Sequence, residues 1–140
     1  MRSSRLVVVV VLTALVALVA APAHAHADSP RFVDSAFSVR ASGPTLTVDG
    51  REAGLGDQAE VRIVVTALAL CVDGGGDRPE TENRTSAGAA EDVPVRNGKA
   101  QFSVTLMASF QPRCAPPMTV DFRDIRVSDI TNDVTTVVRP

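Results

Sequence analysis

Around Asn97-Gly98 the chain alternates apolar and polar residues on both sides of a two-residue turn signal, and this constrains the fold more than any other feature. Asn and Gly both accept the positive φ that a type I′ turn requires, and that turn suits the twist of a β-hairpin. Folded there, the chain pairs Val95 with Ala100 and Val93 with Phe102 on one face. Val104 and Leu106 continue that face, while Gln101, Ser103 and Thr105 point away. A one-residue slip would turn every apolar side chain toward water, so turn chemistry and alternation specify one register.

The same period recurs upstream. Phe37, Val39 and Ala41 alternate with Ser38 and Arg40 before Gly43-Pro44 breaks the run. Leu46 and Val48 alternate with Thr45, Thr47 and Asp49, and Gly50 together with Gly54-Leu55-Gly56-Asp57 is expected to form the next turns. From Glu60 the longest strand candidate places Val61, Ile63, Val65, Ala67, Ala69 and Cys71 on one face. Its other face begins polar with Glu60 and Arg62 and becomes apolar at Val64, Leu68 and Leu70, as a strand covered on both sides would. Asp73 to Asp92, rich in Gly, Glu, Ala and Thr, is expected to be one long irregular segment.

Beyond Cys114, Val120 and Phe122 share one parity and Ile125 and Val127 the other. A bulge at Arg123-Asp124 would return both pairs to the core. Val134 and Thr136 to Val138 supply a last strand. About seven short strands without a convincing helix predict an all-β domain, an antiparallel two-sheet sandwich that is immunoglobulin-like in the broad sense. No Trp is present to mark a true immunoglobulin core.

The first 27 residues read differently. Arg2 and Arg5 precede sixteen uncharged residues, Leu6 to Ala21, and Pro22 then introduces the small-residue stretch Ala23-His24-Ala25-His26-Ala27. That order is the pattern of a secretory signal peptide, and the run is short for a membrane span, which takes ~20 residues. Residues 1–27 are therefore expected to be removed, leaving 28–140 as a single secreted, extracellular domain with no membrane span. Loss of Arg2 and Arg5 takes the 14 basic residues to 12 against 16 acids, a net charge of about −4. With its arginines scattered singly, the mature sequence argues against nucleic acid as a partner. Lys99 is the sole lysine beside thirteen arginines, a bias expected of a GC-rich bacterial genome.

Cys71 and Cys114 are the two cysteines, and in an oxidising compartment they are expected to pair. The 43-position loop so closed would contribute ~4 kcal/mol in the chain-entropy description. His24 and His26 are the only histidines, so the mature domain lacks the imidazole of serine or cysteine triads, of most zinc sites and of common general bases. Carboxylate pairs could in principle hydrolyse glycosides, but neither Trp nor Tyr is available to line a sugar cleft. The expectation is a non-catalytic protein with no cofactor.

Asp73, Gly74, Gly75, Gly76 and Asp77, with Glu80 and Glu82, form the candidate binding loop. Carboxylates and the carbonyls of a glycine run are the oxygen donors calcium prefers, although the EF-hand spacing is absent. The plainer reading is a soluble loop tip. A second metal possibility is copper(II): cleavage after Ala23 would expose an amino-terminal His24-Ala25-His26.

In Gly54-Leu55-Gly56, the β run ending at Cys71, the glycines at 74–76, Pro79, Asn83, the Asn97-Gly98 hairpin and Cys114, the chain resembles a group of small secreted bacterial proteins without an established function. The resemblance covers Gly54 to Cys114 and departs from the pattern by placing Asp at 73 and 77. It implies a secreted, disulfide-bridged β domain and no particular activity. The leading expectation is thus an extracellular domain that binds an unknown partner through loops at one end, with an extracellular metal binder as the alternative.

Overall fold

A computed structural model describes residues 29–73 and 83–140. Eight strands follow in chain order: β1 (Arg31–Phe32), β2 (Ser38–Ser42), β3 (Thr45–Ala53), β4 (Glu60–Val72), β5 (Arg84–Arg96), β6 (Lys99–Met107), β7 (Thr119–Asp129) and β8 (Val134–Val138). One 3-10 turn, Asp34–Ala36, separates the first two. All pairings are antiparallel, in the order β1-β3-β6-β5-β4-β7-β8, with β2 also bonded to β3. The sheet curls so far that β1 and β8, at opposite ends of this order, approach one another, giving a nearly barrel-shaped molecule.

Alternation accounts for most of these elements. Along β6 every second residue is buried from Ala100 through Phe102, Val104 and Leu106. On β4, Val61, Ile63, Val65, Ala67, Ala69 and Cys71 are all buried, and β5 and β7 flank the strand on its two edges. These residues, with Leu46, Val48, Leu55, Phe122, Ile125 and Val127, form one continuous core. Thr66 pairs with Arg126 and Leu68 with Arg123, so β7 carries an extra residue at this point, with Asp124 at φ 50°. That is the bulge which Phe122 and Ile125 require in order to face inward together.

Three expectations need correction. Gly50 is not in a turn but inside β3, opposite Phe102, and an added Cβ would run into the rings of Phe102 and Phe37. A glycine in a strand interior commonly marks such a close approach, here by a cluster in which the rings of Phe32, Phe37 and Phe102 lie 5.9–6.2 Å apart. Arg84 to Asp92 is not irregular but strand, paired residue by residue with β4. Ser86-Ala87-Gly88-Ala89-Ala90 has little intrinsic β preference, and the long apolar neighbour β4 supplies the pairing that propensity does not. In the hairpin, Val95 does pair with Ala100, but Val93 pairs with Val61 instead of Phe102 because β5 leaves β6 after two residue pairs.

The disulfide between Cys71 and Cys114 is formed. It ties the end of β4 to the β6–β7 connection, and Met118 packs its sulfur 3.7 Å from that of Cys71. No helix among the described residues is long and apolar enough to cross a membrane.

Candidate functional site

The hairpin turn organises one end of the molecule. Asn97 and Gly98 have φ of 52° and 73°, as a type I′ turn demands, and the turn sets Arg96 directly opposite Lys99. On the next strand, Glu52 of β3 pairs with Ala100 of β6, and Arg51 with Gln101. On the far side of β3, Arg31 of β1 pairs with Ala53. Because side chains alternate across a sheet, Arg31, Arg51, Arg96 and Lys99 all project from its outer face, while Glu52 and Ala100 project inward. Four cations of four neighbouring strands thus lie together.

All four are exposed. The ion pairs among the described residues are Arg40–Asp49, Arg62–Asp92 and Arg123–Asp121, and none involves this group. Two open depressions adjoin there. One of about 500 Å³ is lined by Arg51, Pro94, Arg96, Lys99 and Gln101. The other, of about 250 Å³, is lined by Arg31, Ala53, Gly54, Gly56, Asn97, Gly98 and Lys99. Neither lining contains a carboxylate. Strand spacings of ~4.8 Å spread the cations over about 14 Å from β5 to β1, so they form a track and not a point.

Beneath this face lies a second feature. Glu52 and Asp129 are the described polar residues that are fully buried, each 0% exposed. Asp129 is well served: its carboxylate accepts from the backbone N–H of Thr131 at 2.8 Å, from that of Asn132 at 3.3 Å and from the Asn132 side-chain amide. Asn132 and Gln58 in turn exchange two amide hydrogen bonds, at 2.9 and 3.0 Å. Glu52 has no such support, and as an ionised group neither of its oxygens finds a donor. Burial, the nearby negative charge of Asp129 and a hydrogen bond to it raise the Glu52 pKa from 4.5 to about 8. At neutral pH Glu52 is therefore mainly protonated beside the Asp129 carboxylate. Carboxyl pairs also serve in glycoside hydrolysis, but this one is sealed within the core with no face open to a substrate.

No family model, curated protein or solved structure matches this chain.

Of the candidate loop, Asp73 alone is described, exposed just beyond the end of β4. Gly74, Gly75, Gly76, Asp77, Glu80 and Glu82 lie outside the described residues, as do the leader, His24 and His26. Among the described residues no group of three or more His, Cys, Asp or Glu side chains could hold a metal ion. The basic face was not read from the sequence, because Arg31, Arg51 and Arg96 stand some twenty or more positions apart. One part of it was within reach: a register pairing Val95 with Ala100 also pairs Arg96 with Lys99. Adding Arg51 and Arg31 required the pairing of β6 with β3 and of β3 with β1.

Proposed function

We propose that this is a secreted, non-catalytic binding domain whose basic face engages an extended anionic polymer outside the cell. The observation that carries the reading is the gathering of Arg31, Arg51, Arg96 and Lys99 around two depressions whose linings hold no carboxylate, in a chain with more acids than bases; Asp49 and Glu91 line the depression next to them, on the far side of Arg51. Leaving four like charges together without counter-charges costs stability, and an anionic partner would relieve that cost. The cations are spread across strands over open depressions, which suits repeating charges better than one small anion. Arginine adds flat, forked donors that match phosphate, sulfate and carboxylate groups.

We read the curled sheet as a two-layer, broadly immunoglobulin-like sandwich. In support, β5 and β6 share only two residue pairs, and the inward side chains of β3 and β6 meet those of β4 and β7 in one core. In this reading the hairpin and the residue 54–57 turn are the loops at one end that present the binding face. The disulfide is compatible with an extracellular setting. Acidic polysaccharides and polyol-phosphate polymers are the favoured partners. Nucleic acid is disfavoured because Phe32, Phe37, Phe102, Phe110 and Phe122 are all at least partly buried, leaving no exposed ring for base stacking.

The test is titration of the purified domain with dextran sulfate and long-chain polyphosphate, with inorganic phosphate and single-stranded DNA for comparison. Saturable polymer binding that weakens several-fold in Arg51→Ala, Arg96→Ala and Lys99→Ala variants is expected. Equal binding by these variants, or no polymer binding at low salt, would remove the proposal.

A further inference from the structure

Glu52 sits in β3 between Arg51 and Ala53, one sheet thickness below the basic face, and its cross-strand partners are Ala100 of β6 and Phe32 of β1. Charged groups on the neighbouring strands do not face it from that side: Arg31, Arg51 and Lys99 project from the opposite surface. Asp129 of β7 is the ionisable group that acts on it from within the core. Gln58 and Asn132, which reach Asp129 through hydrogen bonds, are uncharged, and Ile63, its cross-strand partner, is apolar.

A hydrogen-bonded route runs from this buried pair to the hairpin. Asp129 holds the β7–β8 turn through Thr131 and Asn132. Asn132 holds Gln58, and Gln58 belongs to the segment joining β3 to β4. That segment is fastened to the hairpin at both ends: the Leu55 N–H donates to the Gly98 carbonyl, and the Val95 N–H donates to the Ala59 carbonyl, each at 2.9 Å. The Thr131 hydroxyl also accepts from the Arg62 N–H, tying the same turn to β4. Ionising Glu52 would set two negative charges side by side in the core, where neither Glu52 oxygen has a donor. The hydrogen bonds that such a repulsion would strain lead to the hairpin that carries Arg96 and Lys99.

We propose that the basic face is proton-gated from beneath: while Glu52 keeps its proton beside Asp129 the hairpin end is ordered to hold an anionic polymer, and loss of that proton to solvent weakens the hold. This rests on the reading of the basic face as the binding site. Two effects act in the same direction. An added negative charge below the sheet lowers the positive potential above it, and release of the turn loosens the framework on which the cations stand. By linkage, a bound polyanion in turn favours the protonated form of Glu52.

The experiment measures affinity for dextran sulfate, whose sulfates stay ionised throughout, between about pH 6 and 9 at fixed ionic strength. A free α-amine titrates over part of this range, at ~7.7–8.0, so Glu52→Gln is measured in parallel. Its amide keeps the shape and can donate to Asp129 but cannot ionise. The expected result is an affinity that falls roughly three- to tenfold with rising pH in the unmodified protein, the order expected of one added charge beneath the sheet, and that stays level in Glu52→Gln. An unchanged affinity in the unmodified protein, or the same decline in the variant, would overturn the gate while leaving the binding face intact. Absence of binding at every pH would instead overturn the functional reading, and the gate with it. Should Glu52→Gln fail to fold, the carbon-13 chemical shift of the Glu52 carboxyl in the unmodified protein decides. A midpoint well above the ordinary range, raised further by dextran sulfate, supports the gate, and titration alongside the surface glutamates overturns it.

Discussion

A carboxyl group buried beside another carboxyl group ties folding to pH in the direction opposite to a salt-bridged one. In the unfolded chain Glu52 ionises at about 4.5, and in the folded domain at about 8. Between those values the folded state holds the extra proton, so the stability contributed by Glu52 is fully present below about pH 4.5 and declines as pH rises toward 8. The decline from this group is at most about 1.4 kcal/mol per pH unit. Denaturant unfolding at a series of pH values should show that slope, and Glu52→Gln should flatten it. Gly50 makes a second prediction at this scale. Gly50→Ala would put a methyl group into Phe102 and Phe37 and should cost about 1–3 kcal/mol in the same assay. A cost near zero would mean that the ring cluster can move aside.

Among the elements, the hairpin carries the clearest consequence. Gly98 has φ 73°, which a residue with a Cβ adopts only under strain. Gly98→Ala should therefore lower stability by about 1 kcal/mol, and it should weaken dextran sulfate binding as well, since Arg96 and Lys99 flank that turn. The Cys71–Cys114 bridge acts on other elements, closing a loop across 43 positions between β4 and the β6–β7 connection. Replacing both cysteines by alanine should remove about 2–5 kcal/mol. Because the bridge holds neither the hairpin nor β1, affinity for dextran sulfate at a temperature where the variant stays folded should change little.

For the molecule as a whole, surface charge is distributed unevenly, and the uneven part is predicted to be the functional part. Exposed charges are screened over ~10 Å at 0.1 M salt, so polymer binding should weaken steeply as salt is raised from about 50 to 500 mM. Removing Arg51 and Arg96 together should weaken binding further while holding the unfolding midpoint level or raising it slightly, because neither residue is in an ion pair among the described residues and their mutual repulsion is relieved. A domain that bound its partner through core-like apolar contacts would show little salt dependence.

How much was legible in the residues depended on how local the signal was. Period-two alternation and the Asn97-Gly98 turn are properties of neighbouring residues, and from them came the all-β class, the inward face of β4, the hairpin register at Val95 and Ala100, and the bulge near Asp124. The Cys71–Cys114 pairing followed because no other partner existed. What escaped was whatever depends on residues distant in sequence. Gly50 resembles a turn until Phe102 and Phe37 are set against it, and Ser86 to Ala90 resembles a loop until β4 lies alongside. Glu52 is one of sixteen acids until the curl of the sheet places it beside Asp129. The basic face is four isolated cations until β1, β3, β6 and β5 become neighbours. Local pattern by itself determined which face of each strand turns inward, because burial of apolar side chains acts residue by residue. Only the tertiary structure decided which charges meet, because that depends on the order in which the strands pair.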